Sequence, residues 1–173
     1  ADVVAPEALR FEGGELRDAR GAIDLVYNRL TDFALAMPQH AALRAAYLAS
    51  AVVLTPHPRA HALYADKRNL ALLTDEARLR AWGVRAAAVQ TLLQGIPRTR
   101  TVAAADADAL WAERRRLFFK PAAGYGSKAA YRGDKITRRV WSEILSADYV
   151  AQELVLPGER RVAPDTVMKV DVR

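Results

Sequence analysis

Hydrophobic positions along the chain alternate or cluster over short segments that turn residues separate. Residues 8–17 (ALRFEGGELR) predict a hairpin, because two glycines lie between short alternating segments. The apolar segments 22–29 and 51–55 predict strands. Helical periodicity over 30–50, interrupted at Pro38, predicts a helical connection between them. This order predicts a β-α-β unit, which is the building block of a parallel α/β layer.

The rest of the chain mixes helical periodicity with short apolar strands. Helices are predicted over 56–84, 85–95, 106–116 and 134–145. Strands are predicted over 99–102, 117–121, 128–133 and 148–155, and the segment 157–173 predicts a turn that leads into a last strand. The predicted fold class is therefore α/β and α+β, in which a β-α-β preliminary lobe (1–60) precedes a region with a small antiparallel sheet (61–173).

Composition excludes several classes of protein. The chain has 173 residues, of which 51% are hydrophobic, so it is long enough to bury a core. The absence of cysteine excludes disulfides, thiol catalysis and cysteine-ligated metal sites. No apolar segment approaches the ~20 residues that a membrane span needs, and the first residues lack the pattern of a signal peptide. We therefore expect a cytoplasmic protein with no membrane partner.

The net charge of +6 favours an anionic partner, such as a nucleotide, phosphate or nucleic acid. The arginines are scattered over predicted helices rather than gathered with aromatic residues, which makes nucleic acid the weaker alternative. Lysine, by contrast, is rare in this arginine-rich chain. It is a compact point charge suited to a phosphate oxygen. Its positions are Lys67, Lys120, Lys128, Lys135 and Lys169.

The segment LFFKPAAGYGSKAAYRG (117–133) is the strongest candidate site. Gly124 and Gly126 lack Cβ atoms, so the backbone between them can approach a ligand closely and form an anion-binding nest. Lys120 would add a positive charge on the strand that leads into the loop. The spacing matches neither a Walker A loop nor a dinucleotide fingerprint. Taken alone, the segment also fits an ordinary hairpin with a basic tip.

Other candidate positions are individually weak. Lys67 lies at a predicted helix start, where anions are favoured, although a solvated lysine fits equally well. Asn28 and Arg29 lie at the carboxyl end of the predicted strand 22–29, where α/β proteins commonly bind ligands, and Arg29 would suit a substrate carboxylate or an ordinary surface salt bridge. His57 and His61 have the spacing of neighbours on one helix face, but Pro58 lies between them and no acidic residue adjoins.

The order of these segments resembles the ATP-grasp superfamily. The matching sequence is a β-α-β lobe (22–55), DK at a helix start (66–67), GIPRT before a strand (95–99), the lysine and glycine-rich segment (117–131), and YVAQELVLPGE (149–159). The resemblance implies a nucleotide-binding portion of a ligase that activates a carboxylate as an acylphosphate for attack by an amine, with ATP and Mg²⁺ as cofactors. The alternatives are a non-catalytic nucleotide-binding module and a basic nucleic-acid-binding protein.

The resemblance also implies roles for individual residues. Lys67 and Lys120 would contact the α and β phosphates, and Gln152, or Glu153 one position later, would meet the adenine amino group. Val155 would offer its backbone to the base, and Glu159 would bind the ribose. A mobile loop over the β and γ phosphates would consist of Gly124, Tyr125, Gly126 and Ser127, assisted by Lys128.

The sequence departs from the family near Arg173. The family places its magnesium ligands on the last strands, as an acidic residue followed by a Glu-x-Asn pair, and no such pair is present. Asp171 is the candidate for the first acidic ligand. We therefore expect that the domain is truncated before its metal-ligand strands and that this chain alone is inactive. Any nucleotide binding is expected to be weak, because one wall of the cleft would be absent.

Overall fold

The computed structural model describes residues 2–170, with the backbone alone for residues 169 and 170. The chain divides into two compact units, residues 1–66 and 67–173. Each unit combines helices with small sheets, as the predicted mixed α and β class requires. No helix in the described part of the chain is long and apolar enough to cross a membrane.

The first unit contains a hairpin sheet and a β-α-β connection. Strands β1 (Arg10–Glu12), β2 (Glu15–Asp18) and β3 (Gly21–Ala22) form an antiparallel sheet, and the double glycine makes the turn between β1 and β2. Strand β4 (Leu25–Tyr27) pairs in parallel with β5 (Val53–Thr55), and helix α1 (Ala41–Leu48) connects them. The predicted β-α-β unit is therefore confirmed. Helix α2 (Pro58–Tyr64) follows.

Apolar residues from these elements form the core of the first unit. Leu16 on β2 and Leu54 on β5 are buried with two residues of α1. Periodicity explains the choice of α1 residues, because Leu43 and Ala46 are three positions apart and lie on one helix face. The short strands alternate in the same way, so only their central residues are buried.

The second unit contains a four-stranded antiparallel sheet with the strand order β6-β9-β7-β8. The helices before the sheet are α3 (Arg68–Leu73), α4 (Glu76–Ala81) and α5 (Ala86–Gly95). The strands of the sheet are β6 (Thr99–Thr101), β7 (Leu117–Pro121), β8 (Tyr131–Arg132) and β9 (Tyr149–Glu153). Helix α6 (Ala107–Glu113) precedes β7, α7 (Arg138–Leu145) precedes β9, and a hairpin of β10 (Gly158–Ala163) and β11 (Thr166–Val170) follows.

Side-chain alternation assigns opposite roles to the two faces of this sheet. Leu117 and Phe119 on β7 are buried in a core with Trp141 of α7. Because successive side chains of a strand point to opposite faces, Phe118 and Lys120 lie on the other face of β7. That second face also carries Val150 and Gln152, which pair with Lys120 and Phe118 and are buried.

Two predicted elements in the loops are wrong. Residues 30–37 are not helical, because the Asp32 carboxylate accepts a hydrogen bond from the Met37 backbone N–H at 2.8 Å and lies 2.7 Å from His40 Nδ1. Such local side-chain bonds compete with helix formation. The strand predicted over 128–133 contains only Tyr131 and Arg132, since Ala129 has a positive φ of 54° that an extended strand excludes.

Two further segments are divided more finely than the sequence predicts. Residues 56–84 form three short helices rather than a continuous helical stretch, and Asp75 caps the start of the third by accepting a hydrogen bond from the Arg78 N–H. The segment 157–173 contains two strands instead of one, because residues 164 and 165 form a turn between β10 and β11.

Candidate functional site

A cleft of about 460 Å³ opens on the face of the sheet opposite the core of the second unit. Its floor consists of Phe118 and Lys120 from β7, together with Gln152 from β9. The loop after β7 forms one wall, and residues 153–155 form another. Lys67, directly before α3, contributes its side chain as well. Segments that are distant in sequence therefore converge on this cavity.

Strand register brings three polar side chains into a row, of which Lys120 and Gln152 line the cleft. Gln152 pairs with Thr99 of β6 on one side and with Phe118 of β7 on the other. Lys120 is two residues beyond Phe118, so it is a diagonal neighbour of Gln152 on the same face. Accordingly, Lys120 Nζ donates a hydrogen bond to Gln152 Oε1 at 2.7 Å, and Gln152 Nε2 donates to Thr99 Oγ1 at 2.9 Å.

The Lys120 ammonium is half-buried, and no carboxylate in the described part of the chain pairs with it. Among the described residues, its nearest partners are the neutral Gln152 amide and the ring of Phe118, whose centroid lies 5.4 Å from Nζ. Burial lowers the pKa of Lys120, and the positive charge of Lys67 lowers it further. The two ammonium groups therefore lie close enough to repel one another.

Lys67 is tied to the loop after β7 by two hydrogen bonds. Its backbone N–H donates to the carbonyl of Ala122 at 2.9 Å, and its Nζ donates to the carbonyl of Gly124 at 3.1 Å. The backbone bond fixes the start of α3 beside the end of β7. Both lysines thus have neutral oxygen acceptors, and each is free to approach an anion in the cleft.

The glycine-rich loop has a backbone that ordinary residues rarely adopt. Gly124 and Gly126 have φ values of 128° and 66°, and Ser127 and Ala129 also have positive φ values, of 57° and 54°. A left-handed conformation costs a residue with a Cβ roughly 1–2 kcal/mol. At the far end of the loop, the hydroxyl of Tyr149 donates a hydrogen bond to the Ala129 carbonyl at 3.0 Å, which anchors the loop to β9.

The end of β9 gives the cleft a mixed polar and apolar rim. Glu153 is exposed, and Val155 exposes 66% of its surface. Backbone bonds hold this segment in place, because the N–H of Glu153 donates to the Arg98 carbonyl at 2.8 Å and the N–H of Leu154 donates to the Arg116 carbonyl at 2.8 Å. An exposed apolar side chain and a carboxylate acceptor are therefore available at the same edge.

Most of the residues singled out from the sequence come together in this cleft. They are Lys67, Lys120, Gly124, Tyr125, Gly126, Ser127, Lys128, Gln152, Glu153 and Val155. Glu159 is not among the lining residues, and instead pairs with residue 169 across the β10–β11 hairpin. Asp171 lies outside the described residues.

The candidate substrate residues belong to the first unit. Asn28 is buried, and both ends of its side chain are engaged, because Nδ2 donates to the Pro56 carbonyl at 3.3 Å and Oδ1 accepts from the Leu30 N–H at 2.9 Å. Arg29 is exposed at the carboxyl end of β4, with its guanidinium 5.9 Å from the centroid of the Tyr27 ring. Whether Arg29 binds a substrate carboxylate stays a prediction.

Two residues of the site were not predicted from the sequence. Phe118 lines the cleft beneath Lys120, and Thr99 anchors Gln152. The position of Phe118 was available from period-two alternation, since it shares the face of Lys120. Thr99 required the register between β6 and β9, which no local pattern specifies.

The described residues contain no cluster of three or more histidine or acidic side chains that would hold a metal ion. The predicted magnesium ligand, Asp171, lies beyond them. In comparisons with known proteins, no family model matches this chain and no curated protein matches it. A function for this chain is therefore indicated by the geometry of the cleft and by the order of the motifs that form it.

Proposed function

We propose that residues 67–173 bind a nucleotide in this cleft, as the nucleotide-binding portion of an ATP-grasp-like ligase. The observation that supports the proposal most strongly is the convergence of Lys67, Lys120 and the glycine-rich loop on one cavity. A cavity of about 460 Å³ lies within the range of small-molecule sites. Lys67 and Lys120 are separated in sequence by several helices and strands, so the fold, and not the local sequence, brings them to one cavity.

Charge is the first reason to expect a phosphate-bearing ligand. Burial lowers the pKa of Lys120 and the nearby positive charge of Lys67 lowers it further, and no described carboxylate is paired with either lysine. An anion placed between them would relieve their mutual repulsion and would be attracted strongly in a partly buried site. A compact ammonium is well suited to a phosphate oxygen.

The loop offers backbone groups as well as charge. At Gly124 and Gly126 no side chain covers the backbone, so a phosphate can approach the N–H groups directly. Ser127 and Lys128 line the same wall and add a hydroxyl and a third positive side chain. We expect the loop to tighten over bound phosphates, with Lys67 already hydrogen-bonded to its start.

The opposite rim suits the nucleoside. Gln152 is engaged on both sides, by Lys120 and by Thr99, so it acts chiefly to position the lysine. Glu153 has an exposed carboxylate that can accept from an exocyclic amino group, and Val155 presents an apolar surface for a flat ring. We therefore place the adenine contact on Glu153 and on the backbone near Val155, and the proposed ribose contact of Glu159 stays a prediction.

Bound ATP would supply the phosphoryl group that converts a carboxylate into an acylphosphate, which an amine then attacks. The residues of this chain would orient the phosphates and neutralise charge, which is the main protein contribution to phosphoryl transfer. The described residues do not form a magnesium site, so the metal stays a prediction that depends on Asp171.

A thermal-shift series tests the proposal. ATP or ADP with magnesium is expected to raise the melting temperature of the wild-type chain, since a ligand that binds only the folded state stabilises it. Lys120→Met and Lys67→Met are expected to lose most of the shift. Lys135→Met removes the same charge at an exposed position outside the cleft and is expected to keep it. A wild-type chain that is folded but shows no shift contradicts nucleotide binding.

A further inference from the structure

Four arginines surround a second concavity of about 750 Å³ at the end of β9. They come from two separate parts of the second unit, one around β6 and the other in the turn between α6 and β7. The residues are Arg98, Arg100, Arg115 and Arg116. The nucleotide proposal makes no use of any of them.

The backbone of β9 fixes two of these arginines on opposite sides of one strand end. The N–H groups of the successive residues Glu153 and Leu154 donate to the carbonyls of Arg98 and Arg116, each at 2.8 Å. Strand pairing continues on both sides, from Thr99 of β6 and from Leu117 of β7. The sheet therefore fixes the backbone positions of Arg98 and Arg116 on either side of this strand end.

The charges in this concavity are not balanced. Arg100 is neutralised by Glu113, since its Nη2 lies 2.7 Å from Glu113 Oε2. The only other acidic residue among those that line the concavity is Glu153. The other three guanidinium groups make no ion pair with any carboxylate in the described part of the chain, namely Arg98, Arg115 and Arg116. An excess of positive charge therefore remains.

We propose that this concavity binds a small anion that carries two or more phosphate groups. Guanidinium groups present parallel N–H donors that match phosphate oxygens in pairs, so several of them around one cavity favour a ligand with more than one phosphate. The volume fits a small molecule. This inference goes beyond the nucleotide cleft, which uses ammonium groups and loop amides on the other side of residues 153 and 154.

The two sites share Glu153 and Leu154, which line both cavities. A ligand in the arginine site would therefore lie against the same segment that we propose to hold the nucleoside. If each ligand changes the affinity for the other, the factor must be equal in both directions, because the coupling free energy is reciprocal. The shared segment gives this site a direct route to influence nucleotide binding.

Calorimetric titration with inorganic pyrophosphate tests the inference, at constant ionic strength and with a chelator to exclude metal ions. The wild-type chain is expected to bind pyrophosphate more tightly than inorganic phosphate. Arg98→Gln and Arg116→Gln are each expected to weaken pyrophosphate binding about tenfold or more, as the loss of one charged hydrogen bond implies. Arg44→Gln and Arg59→Gln remove the same charge at exposed positions of the first unit and are expected to bind like the wild type.

The Lys120→Met variant separates this inference from the nucleotide proposal. It is expected to retain pyrophosphate binding at the arginine site. Loss of pyrophosphate binding in Lys120→Met alone would place that anion in the nucleotide cleft and overturn the inference, while the nucleotide proposal would stand. Pyrophosphate binding that is absent in the wild type, or equal in both arginine variants and the controls, also overturns the inference of an arginine site.

Conversely, pyrophosphate binding without ATP binding would sustain the arginine site and contradict the nucleotide proposal. Circular dichroism identifies a variant that does not fold, in which case the other arginine substitution decides.

Discussion

The ammonium of Lys120 donates a 2.7 Å hydrogen bond to the side-chain carbonyl of Gln152, across the pairing of β7 with β9. Gln152 in turn donates to the Thr99 hydroxyl at 2.9 Å, and that hydroxyl donates to the Pro97 carbonyl at 2.9 Å. The hydrogen bonds of the row therefore all run in one direction, from Lys120 through Gln152 and Thr99 to Pro97. Lys120 is thereby held on the floor of the cleft by a neutral partner, which leaves its charge for a ligand.

Replacing Gln152 by leucine should destabilise the second unit. The substitution removes the acceptor of Lys120 and the donor to Thr99 in a buried position, and an unsatisfied buried polar group costs about 1–3 kcal/mol. Urea unfolding measures the difference in free energy. Gln90→Leu, at an exposed position on α5, is the matched control and should change stability little. Equal effects of the two substitutions would show that the row contributes nothing.

Nucleotide affinity should depend on pH through Lys120. Burial and the charge of Lys67 lower its pKa below the ordinary lysine value of 10.5, so the ammonium loses its proton earlier than an exposed lysine as the pH rises. Affinity for ATP should therefore fall as the pH approaches 10.5 from below. Fluorescence titration with a labelled ATP analogue measures the profile. In Lys120→Arg the guanidinium keeps its charge, so the profile should be flatter even if affinity is lower.

Gly133 has no room for a side chain. A Cβ at this position would lie 1.9 Å from the Arg114 carbonyl oxygen and 2.8 Å from the Leu117 carbonyl oxygen. Both contacts are with backbone, which cannot rotate away, so Gly133→Ala should lose about 1–3 kcal/mol or more of stability. Thermal unfolding checks the effect. Gly95→Ala meets no atom within 4 Å and should be tolerated, and a similar loss in both variants would argue against the steric cause.

Acid should destabilise the first unit through Asp32. Its pKa is lowered, chiefly by the hydrogen bond from the Met37 N–H and then by the one with His40. A carboxyl with a depressed pKa in the folded state contributes stability that is complete above its unfolded pKa of about 3.9. That stability is lost as the pH falls through the lower, folded value. Urea unfolding between pH 6 and pH 2 should show this loss, and Asp32→Asn should reduce the pH dependence. An unchanged slope in Asp32→Asn would assign the acid sensitivity to other groups.

Local pattern predicted those parts of the fold that are determined locally. The double glycine predicted the β1–β2 hairpin, and the apolar segment LFFKP, which Pro121 ends, predicted the bounds of β7, because turn chemistry and short apolar runs act over a few residues. The failed helix over 30–37 depended on Asp32 accepting from Met37 and contacting His40, contacts that a hydrophobic period cannot reveal.

The residues of the candidate site were predicted more completely than the hydrogen bonds between them. The rare lysines and paired glycines marked Lys67, Lys120 and the loop, since those residue types differ from the arginine-rich background. The partnership of Gln152 with Lys120 and Thr99 depends on strand register, which is a tertiary property. The arginine concavity was not predicted for the same reason. Its arginines have the local pattern of solvated helix and strand residues, and only the pairing of β9 with its neighbours brings them to one place.

Equilibrium binding of ATP to the wild-type chain and to Lys120→Met tests the central claim most directly. Isothermal titration calorimetry with magnesium should show one ATP per chain, and Lys120→Met should weaken the affinity about tenfold to a hundredfold, as the loss of a charged hydrogen bond worth about 1.5–3 kcal/mol implies. Lys135→Met should bind ATP like the wild type. An absence of binding to the folded wild-type chain, or equal affinity in Lys120→Met and the wild type, would contradict the account.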